Sequence, residues 1–318
     1  MLTVHPPHPT GAAAPHSSAI WIDLINPEPG EVNLVQELMG VTLPSREELA
    51  SLEQSSRLAF DNDCLRLAAP VIAEADTDHP HLSQIGLIVT PSQLVSIHYE
   101  KLKMFETVGA KYADAAPPGS AAVFAALMEG YVARLADLLE DSRARLDQIS
   151  HRVFSKSAQS PRRAMQTSAA MREKLQFLGR MGERISLIRE SLLGVDRLIS
   201  FSLDAAKDWF PPDLERRLRT ARSDIEELDQ FEEHLLGKVQ FLLDAVLGFI
   251  NIEQNDIFKL LTIASIVGIF PTLVAGWYGM NFQNMPEYHW AYGYQFGIGV
   301  IMLSTILPLA WFKWRGWI

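Results

Sequence analysis

Residues Tyr278–Trp290 read YGMNFQNMPEYHW, a polar connector with a Gly, two Met, two Asn, a Pro and one Glu, and no lysine or arginine. Asn281 offers a neutral amide oxygen, and several copies around an axis make a ring of acceptors. Mg2+ gives up its water reluctantly, so a ring of neutral oxygens that bonds the hydration shell suits it better than a tight carboxylate cage. Gly279 allows the chain to turn out of a helix beside Met280 and Asn281. Glu287 supplies negative potential nearby without being a direct ligand.

A second set precedes the connector. On a helix advancing 100° per residue with Asn255 at zero, Phe258, Thr262, Ser265, Ile269, Thr272 and Gly276 fall within an arc of about 100°. Hydroxyls in such a stripe either bond back to their own helix or line a wet path. Two spans cannot enclose a path, so the second reading requires a symmetric oligomer. Bulky side chains at Phe258, Leu261 and Ile269 would then gate by dewetting.

A third set is acidic. Between Ser223 and Asp256 stand nine acids and one base, Lys238. A solvated face and a divalent-sensing surface account for this equally well, and Asp224, Glu227 and Asp229 are the candidate regulatory metal ligands.

Enzyme chemistry finds little support. No GxGxxG, GxxxxGK[ST], HExxH or nucleophile elbow occurs. Cys64 is the one cysteine and has no ligand spacing around it, so it reads as a strand residue. A formal charge of −10 argues against nucleic acid and anionic lipid as the main partner.

The elements that position these residues follow from hydropathy. Leu260–Tyr278 and Ala291–Phe312 are uncharged runs of nineteen and twenty-two residues, each near the roughly 20 needed to cross a bilayer. Trp277, Tyr278, Trp290, Tyr292 and Tyr294 flank one side and Trp311, Trp314 and Trp317 the other, as expected of interfacial belts. Lys259 precedes the first span and Lys313 and Arg315 follow the second. The positive-inside rule therefore puts both termini in the cytoplasm and the connector outside, in an inner (plasma) membrane.

Upstream, AIWIDLI, CLRLAAPVI and QIGLIVTPSQLVSIHY read as strands, and Ser45 with Glu48 as a capping box. Pro211 and Pro212 open a helix with no further proline before Pro271, about 65 residues or 100 Å long. The fold class is an α+β cytoplasmic domain with a long helical stalk and two C-terminal transmembrane helices. Its expected divisions are a disordered tail (1–18, with His5, His8 and His16), an α/β domain (19–118), a helical hairpin (119–210), the stalk with the first span (211–278), the connector (279–290), the second span (291–312) and a basic tail (313–318).

YGMNF at the outer end of the first span, followed by MPE and GY, resembles the CorA family of divalent-cation channels. GFINIEQN and PTLVAGWYGMNF are similar to the stalk and pore helix of its enterobacterial-type members, and WIDL to its first strand. The likeness is dense over 245–318 and sparse but co-linear over 19–245. It implies a homopentamer with a cytoplasmic α/β funnel, a pore lined by the first transmembrane helix, and uptake of Mg2+, often with Co2+ or Ni2+. Gly279, Met280 and Asn281 match the family signature, and Asn255, Thr272 and Gly276 match its polar or small pore positions. Tyr288 stands where the family commonly has Leu, and Lys313 with Arg315 make a thin basic cluster. A zinc transporter of the same superfamily and a non-conducting membrane-anchored scaffold are the alternatives; the retained GMN disfavours zinc.

Overall fold

The computed structural model describes residues 1–5, 19–49, 57–77, 79–112, 117–155, 164–207, 209–281 and 285–317. The chain divides into two compact units: Met1–Lys156 with Lys174–Leu243, and Ser157–Glu173 with Asp244–Ile318.

The first unit is built on a six-stranded sheet of order β1-β2-β6-β5-β4-β3. Its strands are β1 (Leu2–His5), β2 (Trp21–Ile25), β3 (Leu58–Asp61), β4 (Cys64–Ala73), β5 (His81–Val89) and β6 (Leu94–His98). β2 and β6 run parallel and every other neighbouring pair antiparallel. Asn62 and Asp63, both at positive φ, form the two-residue turn from β3 to β4, a conformation Asn and Asp tolerate well. Cys64 opens β4 and is buried. Pro70 sits in β4 beyond the stretch paired with β3, so its missing N–H breaks no ladder on that side.

Short helices α1 (Pro29–Met39), α2 (Arg46–Leu49) and α3 (Lys103–Lys111) accompany the sheet. Ser45 and Glu48 exchange the two capping-box bonds, at 2.7 and 3.2 Å. The buried Trp21 donates Nε1–H to Ser96 Oγ at 2.9 Å, and Ser96 in turn donates to Asp23. His98 Nε2 lies 3.1 Å from the same carboxylate, so the polar groups buried between β2 and β6 satisfy one another.

The amino-terminal tail needs correcting. Leu2–His5 are a strand, paired with Trp21–Leu24, and not part of a disordered segment. The Met1 ammonium donates to Ile25 O at 2.9 Å and pairs with Glu31 at 3.0 Å, while Leu2 and Val4 pack on the core and His5 stacks on Trp21. Burial pushes the His5 imidazole below its ordinary pKa, which disfavours it as a charged tail residue. His8 and His16 lie outside the described residues.

Three long helices follow: α4 (Ser120–Phe154), α5 (Ala164–Ala205) and α6 (Pro212–Tyr278), the last a single helix of 67 residues. Gly194 lets α5 approach β4, because a Cβ there would lie 3.0 and 3.1 Å from Pro70. In the second unit the carboxy-terminal part of α6 is followed by a 3-10 turn (Pro286–His289) and by α7 (Gly293–Trp314). Among the described residues, α6 and α7 are the two helices long and apolar enough to cross a membrane. The fold is therefore a mixed-sheet domain, a long helix and two C-terminal apolar helices.

Candidate functional site

The apolar end of α6 presents two faces. Ile263, Ile266, Val267, Pro271, Val274 and Tyr278 are partly covered, and Ile266 and Phe270 border an apolar cleft against Leu307, Pro308, Trp311 and Phe312 of α7. Asn255, Phe258, Leu261, Thr262, Ser265, Ile269, Thr272 and Gly276 are all exposed. At 100° per residue the covered set centres near 110° and the exposed set near 300°, on opposite sides of the helix. The sequence-predicted stripe thus lies on the side of α6 away from α7, although Leu260, Ala264 and Trp277, outside it, are exposed as well.

The hydroxyls on this stripe do bond to their own helix. Thr262 Oγ1 donates to Phe258 O at 2.8 Å and Thr272 Oγ1 to Gly268 O at 2.7 Å. Each bond commits the hydroxyl proton and leaves oxygen lone pairs as acceptors. Water bound to a cation points its protons outward, so acceptors are what a hydrated cation needs from a wall.

The described residues on either side of 282–284 are held by turns. Gly279 N–H donates to Ala275 O at 2.9 Å and Met280 N–H to Trp277 O at 3.3 Å, which ends α6 and leaves Asn281 exposed beyond it. A Cβ on Gly279 would lie 3.2 Å from Ala275 O, a tight contact. Met285 is buried and anchors the far side, ahead of the 3-10 turn that carries the half-buried Glu287. Trp290 N–H donates to Glu287 O at 3.3 Å and Gly293 N–H to Trp290 O at 3.1 Å. Gly293 is the residue this turn depends on most, since a Cβ there would sit 2.2 Å from the Glu287 carbonyl oxygen. In the sequence, Gly293 counts only in the GY of the family likeness and as part of the apolar run Ala291–Phe312, and neither announces this turn.

Lys313 and Trp314 belong to α7, and the residues after them are not a free basic tail. Gly316, at φ 74°, donates to Lys313 O at 3.1 Å, and Trp317 N–H donates to Phe312 O at 3.0 Å. This is the Schellman pattern, completed by Trp317 stacking on Phe312 at 5.4 Å. Arg315 lies over the Trp311 ring at 5.3 Å.

The acidic stretch of α6 divides. Asp224 and Glu227 line a groove with Glu129, Val132 and Ala133 of α4, whose rim carries the bidentate Arg217–Glu129 pair. Asp229 is not among the groove's lining residues. Elsewhere Lys238 pairs with Asp147 of α4, Arg189 of α5 approaches Glu232 at 3.9 Å, and Asp256 pairs with Lys259 of α6 itself. Among the described residues no group of three or more His, Cys, Asp or Glu is arranged to hold a metal ion.

A sequence model of the family described as "CorA-like Mg2+ transporter protein" matches residues 16–314. The chain is 32% identical over 306 residues to the magnesium transport protein CorA of Escherichia coli, covering 96% of this chain and 93% of that one. It is 31% identical over 304 residues to the protein of the same name from Haemophilus influenzae, covering 95% and 93%. Among solved structures it is similar to the CorA magnesium transporter of Methanocaldococcus jannaschii, with a TM-score of 0.75 at 16% identity over 94% of this chain and 91% of that one.

Proposed function

The chain belongs to the CorA-like Mg2+ transporter family, and from that premise we propose that it forms a homopentameric channel for Mg2+ uptake. Its membrane is the inner (plasma) membrane, with both termini cytoplasmic and the connector outside. The observation that carries this reading is the exposed stripe of α6 opposite the face covered by α7. Back-bonding lowers the cost of facing Thr262 and Thr272 to lipid, so the hydroxyls alone decide nothing. Their alignment with Asn255 at one end and with the Gly279 turn at the other favours a shared axis.

The path then works by holding water. Asn281 amides ring the mouth and bond the hydration shell of an incoming ion, while Gly279 and Met280 set their position and Glu287 adds negative potential. Asn255, Thr262, Ser265, Thr272 and Gly276 give acceptors or room along the wall, and Phe258, Leu261 and Ile269 close it by dewetting. Co2+ and Ni2+, divalent ions that also carry bound water, are expected to follow Mg2+. Membrane potential supplies the drive, at about 2.3 kcal/mol per charge per 100 mV. Asp224, Glu227 and Asp229 serve feedback: like charges brought together by neighbouring copies repel, and cytoplasmic Mg2+ relieves the repulsion and holds the ring closed.

Asn281→Ala tests the proposal. Uptake into proteoliposomes is expected to vanish while the oligomer elutes at its usual size. Wild-type uptake by a correctly assembled Asn281→Ala protein would overturn it.

A further inference from the structure

Asn251 lies one turn before Asn255 on α6. The positions 251, 255, 258, 262, 265, 269, 272, 276 and 279 alternate steps of four and three without a break. That is a 3.5-residue repeat, and a straight α-helix drifts about 20° per heptad against it. Helices meeting along such a seam wrap around each other with a left hand, each keeping the seam toward the common axis. Asn251 occupies the position that Phe258, Ser265, Thr272 and Gly279 repeat every seven residues, and its phase of about 320° lies inside the arc of the stripe. Its side chain is exposed and makes no hydrogen bond among the described residues. The next seam position toward the amino terminus is Gly248, which has no side chain, so Asn251 ends the run of amides.

We propose that Asn251 is a further lining residue of the ion path, its amide forming a second layer of neutral acceptors beneath Asn255. This rests on the pore reading above. The two layers lie about 6 Å apart along the helix, four residues at 1.5 Å each. Both stand on the amino-terminal side of Phe258 and Leu261. A divalent ion beside that apolar narrowing keeps its water only if the wall accepts the protons of that shell, and two amide layers supply more acceptors than one. The ligand is the hydration shell of the cation, not the bare metal. A seam asparagine has a competing role, bonding its counterparts in other copies to fix register, and this needs no contact with water or ion.

The experiment uses full-length protein in proteoliposomes containing a Mg2+-sensitive dye, in a Cys64→Ala background. Asn251→Cys and Ile252→Cys are compared; Ile252 is exposed on the same turn but about 100° away. A cationic, water-soluble methanethiosulfonate is expected to slow uptake through Asn251→Cys about tenfold and to spare Ile252→Cys, since a fixed charge in the path repels the ion. Asn251→Leu is expected to lower uptake about fivefold, the worth of one typical hydrogen bond, with Asn251→Ser recovering most of it. Uptake by Asn251→Leu at the wild-type rate overturns the proposal, as does an Asn251→Cys protein indifferent to the reagent. A changed oligomer size in Asn251→Leu with no reagent block assigns Asn251 to register and likewise overturns it. Absence of Mg2+ uptake by the Cys64→Ala parent is a different result, the failure of the pore reading itself.

Discussion

Replacing Gly293 by alanine puts a methyl group where the Glu287 carbonyl oxygen already sits. The new Cβ would be 2.2 Å from that oxygen, against an ordinary contact of 3.4 Å or more. The backbone on either side must therefore separate by about 1 Å, with an overpacking cost of about 1–3 kcal/mol. The strain falls on the 3-10 turn holding Glu287 and on the entry to α7, because Gly293 N–H also donates to Trp290 O. Gly279→Ala is the natural comparison: its Cβ meets Ala275 O at 3.2 Å, which a shift of a few tenths of an ångström relieves. Thermal unfolding of the detergent-solubilised protein and Mg2+ uptake by proteoliposomes read the two effects. Gly293→Ala is expected to lower the unfolding midpoint by several degrees and uptake about tenfold or more, because the connector is displaced. Gly279→Ala is expected to fold nearly as well as the parent, so any loss of uptake reports on the mouth and not on stability. A Gly293→Ala protein with parental midpoint and parental uptake would refute the claim that this close approach shapes the connector.

Two further outcomes follow from other parts of the chain. Glu232 is buried on α6 with neither carboxylate oxygen hydrogen-bonded and Arg189 no closer than 3.9 Å; burial, aided by Asp229 and Glu233, holds its pKa above the ordinary glutamate value. The folded state then keeps the proton after the unfolded chain has lost it. Stability is greatest below the unfolded pKa and falls as pH rises toward the folded one, so Glu232→Gln is expected to raise the midpoint at neutral pH and flatten its decline as pH rises above the ordinary glutamate range. An unchanged pH profile in Glu232→Gln would assign that decline to other groups. For topology, cysteines at His289 and Arg315 in the Cys64→Ala background are expected to react with an impermeant reagent from opposite sides of the membrane. Reaction of both from one side would contradict a two-span arrangement.

Much of this was legible in the residues because the signals were local. The capping box at Ser45 and Glu48, the uninterrupted apolar runs and the proline-free stretch after Pro212 each announce an element without reference to anything distant. The stripe was legible for the same reason, helical phase being a property of one segment. Pairing across the chain was not. Leu2–His5 lies in a window dominated by Pro, Ala and Ser, and becomes a strand only because β2 offers an edge and Glu31 a partner for the terminal ammonium. The one base among the acids of α6, Lys238, is taken by Asp147 of another helix, and Arg189 of α5 stands 3.9 Å from Glu232, pairings that no single segment announces. Gly293 was absorbed into the apolar run and Gly316 into the basic tail, although Gly followed by Trp just past a helix end is the sequence form of a Schellman cap.

Flux of divalent ions through the purified wild-type protein tests the central claim most directly. In proteoliposomes with an inside-negative potential and no nucleotide, dye-reported entry of Mg2+ is expected, with Co2+ and Ni2+ competing for the same path and Zn2+ entering more slowly. Liposomes no more permeable to Mg2+ than protein-free ones, or Zn2+ entry faster than Mg2+, would contradict it.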